Sequence, residues 1–232
     1  MDNLAIIPAR SGSKGLKDKN IKLLDGKPLT AYTIKAALDS GMFSEVMVST
    51  DSEMYADVAR KYGAKVPFLR SVRHSSDTAS SWDVVKEVLL KYQNKGMNFD
   101  TVTLLQPTSP LRTAQDIRNA FIVMQNQHAN AVVSVCEVDH SPLWCNTFPK
   151  SDSMDHFLPK DLIMKGRQKL DTYYRINGAI YLVNVSYLLS SQTIYDYGCF
   201  AYKMDKKHSI DIDDLLDFQI AEVLIQNSKQ SD

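Results

Sequence analysis

The sequence predicts an α/β protein with three layers, α/β/α, in which helices cover both faces of a mostly parallel central sheet. Short apolar runs alternate with helical patterns along most of the chain, beginning with LAIIPA, LTAYTIKAALDSG, EVMVST and SEMYADVARKYG. Repeated strand–helix units of this kind are typical of parallel strands joined by crossover helices. The glycines agree, because Gly41, Gly63 and Gly96 follow helical patterns where a C-terminal glycine is expected.

The chain length predicts one folding unit, residues 1–232, with enough sequence to bury a core. Residues 139–174 interrupt the alternation with three prolines and no clean period. We expect this excursion to be a functional insertion or an oligomer contact, since plain linkers of that length are uncommon inside a domain. Regular structure then resumes, and a last amphipathic helix is predicted from about Asp213 to Gln226.

The charge balance excludes a general attraction to nucleic acid or to an anionic membrane. Lys+Arg and Asp+Glu are both 27, so the formal net charge is zero and any anion site must be local. Three cysteines without a C-x-x-C pair predict reduced thiols in a cytoplasmic protein. No signal peptide is visible, and no apolar run approaches the ~20 residues that cross a bilayer.

The loop after the first strand predicts an anion site. Residues 6–20 read IIPARSGSKGLKDKN, and the stretch from Arg10 to Lys27 has six basic and two acidic residues. Its two glycines leave backbone N–H groups accessible, and Ser11 and Ser13 add hydroxyl donors, which together suit phosphate oxygens. The loop matches neither the Walker A nor the dinucleotide-binding pattern, which disfavours a dehydrogenase. The alternative is a solvated basic loop.

Three further loops follow strands, where ligands bind in open α/β sheets. The segment STD ends in Asp51, which either binds a ribose or caps the next helix, and capping is favoured. The segment 70–83, RSVRHSSDTASSWD, offers hydroxyls that can read a base or a ribose, although such loops are common. In LLQPTSPLR, prolines fix a loop from which Gln106 and Arg112 can present an amide and a guanidinium, with a rigid turn as the alternative.

The segment HSIDIDDLLD predicts a magnesium site. Asp211 and Asp213 alternate along an extended stretch, so both carboxylates point to one face, and oxygen ligands of this kind suit Mg²⁺ carrying phosphates. Asp213 as the N-cap of the last helix is the alternative. Asp214 and Asp217 are expected in the first turn of that helix, where they offset its dipole.

Together these motifs resemble the bacterial acylneuraminate cytidylyltransferases, also called CMP-sialic acid synthetases. The matching segments are ARSGSKGLKDKN, STD, RSVRHSSD, LLQPTSPLR, RINGAIY and SIDIDD, and they run in order over nearly the whole chain. The resemblance implies a Rossmann-like nucleotidyltransferase fold, CTP as a substrate and Mg²⁺ or another divalent cation. It also implies a homodimer in which residues 139–174 form much of the interface and the rim of the sugar site, with a lid over the same subunit as the alternative.

The resemblance carries roles onto individual residues. Arg10, Ser13, Lys19 and Asn20 fall on the nucleotide loop, with Arg10 and Lys19 neutralising the transferring phosphate, and Ser76 falls where the family holds cytidine. The sugar contacts are Gln106, Arg167, Gln168, Arg175, Asn177 and Tyr181, with the two arginines suited to the sugar carboxylate. The metal ligands are Asp211 and Asp213. The catalytic set is thus Arg10, Lys19 and Asp211, with Asp211 or a metal-bound water accepting the proton.

The implied reaction is attack of a nonulosonic acid's anomeric hydroxyl on the α-phosphorus of CTP, with release of pyrophosphate. N-acetylneuraminic acid is the expected acceptor. Trp144 departs from the family pattern, which often has a basic residue there, and so legionaminic and pseudaminic acid are alternatives. Other readings are a 3-deoxy-manno-octulosonate cytidylyltransferase, a sugar-1-phosphate nucleotidyltransferase, and an inactive nucleotide-binding regulator.

Overall fold

The computed structural model describes residues 1–12, 15–76, 80–163 and 170–230. The strands are β1 Asn3–Pro8, β2 Leu23–Leu24, β3 Lys27–Pro28, β4 Glu45–Ser49, β5 Thr101–Leu104, β6 Ala131–Glu137, β7 Tyr174–Asn184 and β8 Cys199–Lys203. The helices are α1 Leu29–Ser40, α2 Glu53–Lys61, α3 Ser81–Gln93, α4 Ala114–Asn126, α5 Lys160–Ile163, α6 Val185–Ser190 and α7 Leu215–Gln230.

The central sheet has six strands in the order β4-β1-β5-β7-β6-β8. Strand β1 pairs in parallel with β4 and β5, β6 pairs in parallel with β8, and β7 runs antiparallel to both of its neighbours. The predicted mostly parallel sheet is therefore confirmed. Because β7 is reversed, it begins at the edge of the sheet where the parallel strands end, which brings RINGAIY to the predicted site.

Alternate residues of β1 point to opposite layers, as its continuous apolar run requires. Ala5 and Ile7 pack with α1, α2 and α4, whereas Leu4 and Ile6 pack with α3 and α6. The helices therefore cover both faces, and the three-layer prediction is confirmed. Helix α7 packs separately, through Phe218 and Ala221, on a third apolar cluster with Leu24 and Leu29.

An irregular bulge interrupts β7. Val133 of β6 pairs with Tyr181, but Val135 pairs with Ile176, so β7 carries extra residues between these two pairs. The buried Ser134 fills the bulge, because its Oγ donates to Oδ1 of Asn177 at 2.6 Å and accepts from the N–H of Ile180 at 2.8 Å. Bulges of this kind redirect side chains next to active sites.

The described part of the excursion contains little regular structure, as predicted. It includes a 3₁₀ turn at Pro142–Trp144 and the short α5, and β7 begins at Tyr174. The last helix begins at Leu215, two residues later than predicted. Within the described ranges, none of the helices combines the length and apolar character that crossing a bilayer requires.

Candidate active site

The carboxyl ends of β1 and β5 border a cavity of about 460 Å³. Its lining residues are Pro8, Arg10, Gly15, Lys19, Asn20, Arg70, His74, Ser76, Ser81, Val84, Gln106, Pro107, Thr108 and Asp213. Four separate segments of the chain thus meet where the sequence predicts one site. Six of the predicted residues lie in this lining: Arg10, Lys19, Asn20, Ser76, Gln106 and Asp213.

The loop after β1 is closed on itself by Asn20. This side chain is 5% exposed, and its Nδ2 donates to the carbonyl oxygen of Arg10 at 3.1 Å. The bond joins the first residue of the predicted anion loop to the 3₁₀ turn Lys19–Ile21. Gly12 has φ of +72°, a conformation that favours glycine and turns the chain at the mouth of the loop.

Asp51 binds this loop and does not cap α2, so the favoured prediction for it is wrong. Its Oδ1 accepts from the backbone N–H of Ser11 at 2.7 Å, and its Oδ2 accepts from the Ser11 hydroxyl at 2.9 Å. The N-cap of α2 is Ser52. Because both donors of Ser11 are used by Asp51, Ser11 does not present them to a phosphate as the sequence suggested.

Lys19 links the anion loop to the aspartate segment. Its Nζ donates to the carbonyl oxygen of Ile212 at 2.6 Å and lies 3.7 Å from Oδ1 of Asp213. Gly15 also lies against this segment, since a Cβ there would be 2.9 Å from the carbonyl oxygen of Asp213. The absence of a side chain at Gly15 therefore allows the two segments to pack together.

The carboxylate of Asp211 is held from the loop after β5. The Thr108 side chain hydrogen-bonds to Asp211, and the Thr108 carbonyl accepts from Ile212 N–H at 2.8 Å. Burial raises the pKa of Asp211 and the Asp213 charge raises it further, although the Thr108 hydrogen bond and the charges of Lys19 and Arg175 oppose this. Among the described residues, the buried Oδ1 of Asp211 finds no hydrogen-bond partner.

An unpartnered carboxylate oxygen beside a second carboxylate fits a divalent cation. Mg²⁺ is usually bound through one or two carboxylates together with substrate phosphates. The described ranges contain no group of three or more His, Cys, Asp or Glu side chains placed to hold a metal. A cation held by Asp211 and Asp213 would therefore take its other ligands from elsewhere, such as the phosphates of a substrate.

Asp214 and Asp217 cap α7, which leaves Asp213 available to the cavity. Oδ1 of Asp214 accepts from the N–H of Asp217 at 3.0 Å, and Oδ2 of Asp217 accepts from the N–H groups of Asp213 and Asp214 at 2.9 and 3.2 Å. This reciprocal arrangement is a capping box. The alternative reading of Asp213 as the N-cap is wrong, and its side chain is 85% exposed.

Arg112 does not face a ligand, so the suggestion that it presents its guanidinium is wrong. It is 2% exposed, and its Nη1 donates to the carbonyl oxygens of Gln106 and Ala179 at 3.1 and 3.0 Å. Burial lowers the pKa of Arg112 to about 9, against the effect of the nearby Asp116. Arg112 instead fixes the loop after β5 against the bulge of β7.

The bulge places Gly178 directly against Gln106. A Cβ on Gly178 would lie 2.9 Å from Oε1 of Gln106 and 3.4 Å from Oδ2 of Asp211. Gly178 also has φ of +76°, which other residues rarely adopt. Gln106, a predicted sugar contact, and Asp211, a predicted metal ligand, therefore both lie close to Gly178, which has no side chain.

The other predicted sugar residues of β7, which are Arg175, Asn177 and Tyr181, do not belong to the cavity lining. Nδ2 of Asn177, a residue only 1% exposed, donates to Oγ of Ser209 at 2.8 Å, and Nη2 of Arg175 donates to the Ser209 carbonyl at 3.2 Å. Both side chains thus anchor the segment that leads to Asp211. Tyr181 packs edge-on against Trp82 with ring centroids 6.0 Å apart, and burial raises its pKa to about 12.

The third loop contributes Ser76 and a buried arginine to the cavity. Arg70 is 9% exposed and donates through Nη2 to the Ser49 carbonyl at 2.6 Å. Burial lowers the pKa of Arg70 to about 10, partly offset by Asp51 and Glu87, so it is charged at neutral pH. Three predicted site residues, Ser13, Arg167 and Gln168, lie outside the described residues.

Sequence reasoning missed Arg70, Thr108 and Gly178 as site residues. Arg70 and Thr108 line the cavity, and Gly178 lies behind Gln106. Each of the three belongs to a segment that the sequence analysis identifies: RSVRHSSDTASSWD, LLQPTSPLR and RINGAIY. Their roles depend on contacts between segments, which spacing within one segment does not reveal.

The sequence profile that describes cytidylyltransferases matches residues 4–218. The chain belongs to this cytidylyltransferase family. It is therefore a nucleotidyltransferase, and the family predicted from its motifs is confirmed.

Two relatives illustrate the range of the family. The CMP-N,N'-diacetyllegionaminic acid synthase of Legionella pneumophila is 38% identical over 235 residues, which cover 98% of this chain and 98% of the relative. The N-acylneuraminate cytidylyltransferase of Escherichia coli is 39% identical over 227 residues, covering 97% of this chain but 52% of the relative. The chain thus spans about half the length of the second relative.

A solved structure of CMP:2-keto-3-deoxy-manno-octonic acid synthetase complexed with CTP has the same fold. It superposes with a TM-score of 0.72 at 16% sequence identity, covering 98% of this chain and 100% of that chain. At this identity the likeness concerns the fold alone. It agrees with the three-layer α/β fold predicted for this chain.

Proposed function

We propose that this cytidylyltransferase transfers the cytidylyl group of CTP to a nonulosonic acid, giving a CMP-sugar and pyrophosphate. The observation that carries the proposal is one cavity in which Arg10, Lys19, Ser76, Gln106 and Asp213 converge from four segments. These are the residue types that cytidylyl transfer requires: cations for the phosphates, a hydroxyl for the nucleoside, an amide for the sugar and a carboxylate for a metal.

Positive charge is concentrated where the triphosphate would lie. Arg10 and Lys19 line the cavity together with the buried Arg70. Cations fixed in a shielded site stabilise charge that develops on a transferring phosphate. We assign this role to Arg10 and Lys19, with Ser13 and Asn20 completing the nucleotide loop and Ser76 contacting the cytidine.

Asp211 and Asp213 would hold a divalent cation, Mg²⁺ in the first instance. Bound there, such an ion would neutralise charge on the phosphates and favour departure of pyrophosphate. The protein prepares the site through Thr108, which hydrogen-bonds to Asp211, and through Lys19, which holds the intervening Ile212 carbonyl.

The sugar side of the site would be formed by Gln106 and the first half of β7. We assign the sugar carboxylate to Arg175 and Arg167, because a guanidinium can bind it through two hydrogen bonds. Gln106, Gln168 and Tyr181 are the proposed neutral contacts. Asn177 is 1% exposed and bound to Ser134 and Ser209, so we assign it a positioning role for the segment before Asp211.

N-acetylneuraminic acid is the first candidate acceptor, favoured by the Escherichia coli N-acylneuraminate cytidylyltransferase, which is 39% identical over 97% of this chain. N,N'-diacetyllegionaminic acid is the second. The second is favoured by the Legionella pneumophila relative, which matches this chain over 98% of both lengths. It is also favoured by Trp144, which replaces a basic residue often found at that position. Pseudaminic acid is a further alternative within the same class.

The test is pyrophosphate release from CTP and Mg²⁺ in parallel reactions with N-acetylneuraminic, N,N'-diacetyllegionaminic, pseudaminic and 3-deoxy-manno-octulosonic acids. Release with a nine-carbon acid supports the proposal and names the acceptor. Release with the eight-carbon acid alone would replace it by the octulosonate activity. Binding of CTP without release under any condition would favour a nucleotide-binding regulator.

We further propose a homodimer in the cytoplasm. The excursion exposes aromatic and Met side chains, with Phe148 59% and Met154 60% exposed, and such residues are enriched in interface cores. All three cysteines are free thiols, which suits a reducing compartment. Light scattering after gel filtration tests the dimer, and a monomer at micromolar concentration would overturn it.

A further inference from the structure

The connection between β4 and α2 and the first turn of α2 each contact the anion loop, at two points that have no assigned role. At the first point, the carboxylate of Asp51 accepts both the N–H and the O–H of Ser11, at 2.7 and 2.9 Å. A carboxylate that accepts two such bonds fixes the orientation of the residue that donates them. The peptide of Ser11 joins Arg10 to Gly12, so its orientation sets the direction in which the loop begins.

At the second point, Tyr55 of α2 holds the far side of the same loop. Its ring is 1% exposed, and its hydroxyl donates to Oδ1 of Asp18 at 3.0 Å. Asp18 has φ of +51° and directly precedes the 3₁₀ turn that carries Lys19. The buried hydroxyl therefore fixes the side chain of an aspartate whose left-handed backbone turns the chain into the Lys19 segment.

We propose that Asp51 and Tyr55 are positioning residues that hold the anion loop in the shape that receives the triphosphate of the nucleotide. Asp51 orients the end of the loop that bears Arg10, and Tyr55 orients the end that bears Lys19. The inference rests on the proposed function, since it takes the nucleotide triphosphate as the ligand of the loop.

Removal of the Asp51 carboxylate should change the affinity for CTP in opposite directions if the residue positions the loop and if it acts only through its charge. Asp51 is a negative charge close to a proposed triphosphate site, and it lies near enough to Arg70 to offset part of the lowering that burial causes in the pKa of Arg70. By Coulomb's law alone, removal of the carboxylate should strengthen binding of an anion. If Asp51 positions the loop, its removal weakens binding instead.

The experiment measures the dissociation constant of CTP by calorimetry and the KM values for CTP and for the acceptor. Asp51→Ala is expected to weaken CTP binding roughly 10-fold or more, because two hydrogen bonds to a charged acceptor are lost. Asp51→Asn should lose less, since an amide can accept from the Ser11 N–H and donate to its Oγ. Tyr55→Phe, which keeps the ring, should weaken CTP binding about 3-fold or more.

The KM for the acceptor should change less than about 2-fold in these variants, because the sugar contacts come from other segments. Asp57→Ala is the matched control, since Asp57 lies on α2, is 71% exposed and pairs with Arg60. A double-mutant cycle between Ser11→Ala and Asp51→Ala should be non-additive in CTP affinity. Ser11→Ala and Tyr55→Phe remove only hydroxyl groups, so they test the proposal even where Asp51→Ala folds poorly.

The affinity of the wild-type protein for CTP distinguishes failure of the proposed function from failure of the positioning role. Wild-type protein that does not bind CTP would overturn the proposed function. Wild-type protein that binds CTP while Asp51→Ala binds it equally or more tightly would overturn the positioning role and leave the proposed function standing. An equal rise in both KM values would also contradict the positioning role.

Discussion

The Nζ of Lys19 donates a 2.6 Å hydrogen bond to the carbonyl oxygen of Ile212, the residue between the two proposed metal ligands. The same Nζ lies 3.7 Å from Oδ1 of Asp213. One lysine therefore orders the aspartate segment through its backbone and faces the cavity with its remaining donors. Its removal should affect the metal site and the phosphate site together.

Lys19→Ala is expected to lower kcat/KM for cytidylyl transfer by about 100-fold or more, since a preorganised cation is lost. The measurement is pyrophosphate release at saturating acceptor. Lys35→Ala is the matched control, because Lys35 is 70% exposed on α1 and pairs with Asp39. A loss of less than about 3-fold in the Lys19 variant would remove this residue from the catalytic set.

Gly178→Ala should impair the sugar side of the site. The new Cβ would lie 2.9 Å from Oε1 of Gln106, so the amide must move away from its place beside Asp211. We expect the KM for the acceptor to rise about 10-fold, with a smaller change in CTP affinity.

A matched control separates this contact from backbone strain. Gly96 has φ of +78°, close to the +76° of Gly178, but within the described residues a Cβ there meets no atom inside 4 Å. Gly96→Ala should therefore lower the melting temperature and leave both KM values unchanged. Equal KM values in wild type and Gly178→Ala would show that Gln106 does not depend on this contact.

The sheet could be predicted because strand and helix patterns are local. The parallel pairing of β1 with β4 aligns Ile7 with Val48 near the ends of the two strands. The same pairing brings Asp51 to Ser11. The contact between Asp51 and Ser11 cannot be predicted from local sequence patterns, because the two residues lie 40 positions apart in sequence. Helix capping was the favoured reading of Asp51 because it needs only neighbouring residues.

Arg112 shows a second limit of sequence reasoning. An arginine after a proline-rich loop resembles a ligand contact, but the turn at Ser109 directs this side chain inward, where it binds the carbonyls of Gln106 and Ala179. The bulge in β7 that presents Ala179 follows from strand register, which composition does not encode. Gln106 lies in the cavity lining, where the end of β5 predicts it, whereas the metal-binding role of Asp211 and Asp213 stays a prediction.

Asp213 and Asp214 are adjacent, yet the structure predicts opposite consequences for their loss. Asp213→Ala removes an exposed proposed metal ligand, so activity and Mn²⁺ binding should fall about 100-fold or more while the melting temperature is kept. Asp214→Ala removes the side chain that caps Asp217 N–H, so it should cost about 1 kcal/mol of stability and retain activity. Electron paramagnetic resonance of Mn²⁺ and thermal unfolding measure the two effects. Loss of activity in both variants, with stability unchanged, would contradict this division.

Glu87 predicts a pH dependence of stability. Burial raises the pKa of this carboxyl, but hydrogen bonds from Lys91, Ser71 and His74 outweigh burial and bring the pKa down to about 2 from 4.5. Since the folded pKa lies below the unfolded value, the stabilisation is fully present above about pH 5 and decreases as the pH falls through 4.5 toward 2.

The variant Glu87→Gln should therefore be less stable than wild type at pH 7, by about 1–3 kcal/mol in the free energy of unfolding. The difference should narrow by about 1 kcal/mol between pH 7 and pH 4, as the unfolded wild-type carboxyl takes up its proton. Urea unfolding at several pH values measures it. Asp39→Asn is the control, because the Asp39 side chain is 51% exposed in a surface pair and should show almost no pH-dependent difference. A gap between wild type and Glu87→Gln that stays constant down to pH 4 would show that the charge of Glu87 does not stabilise the loop at His74.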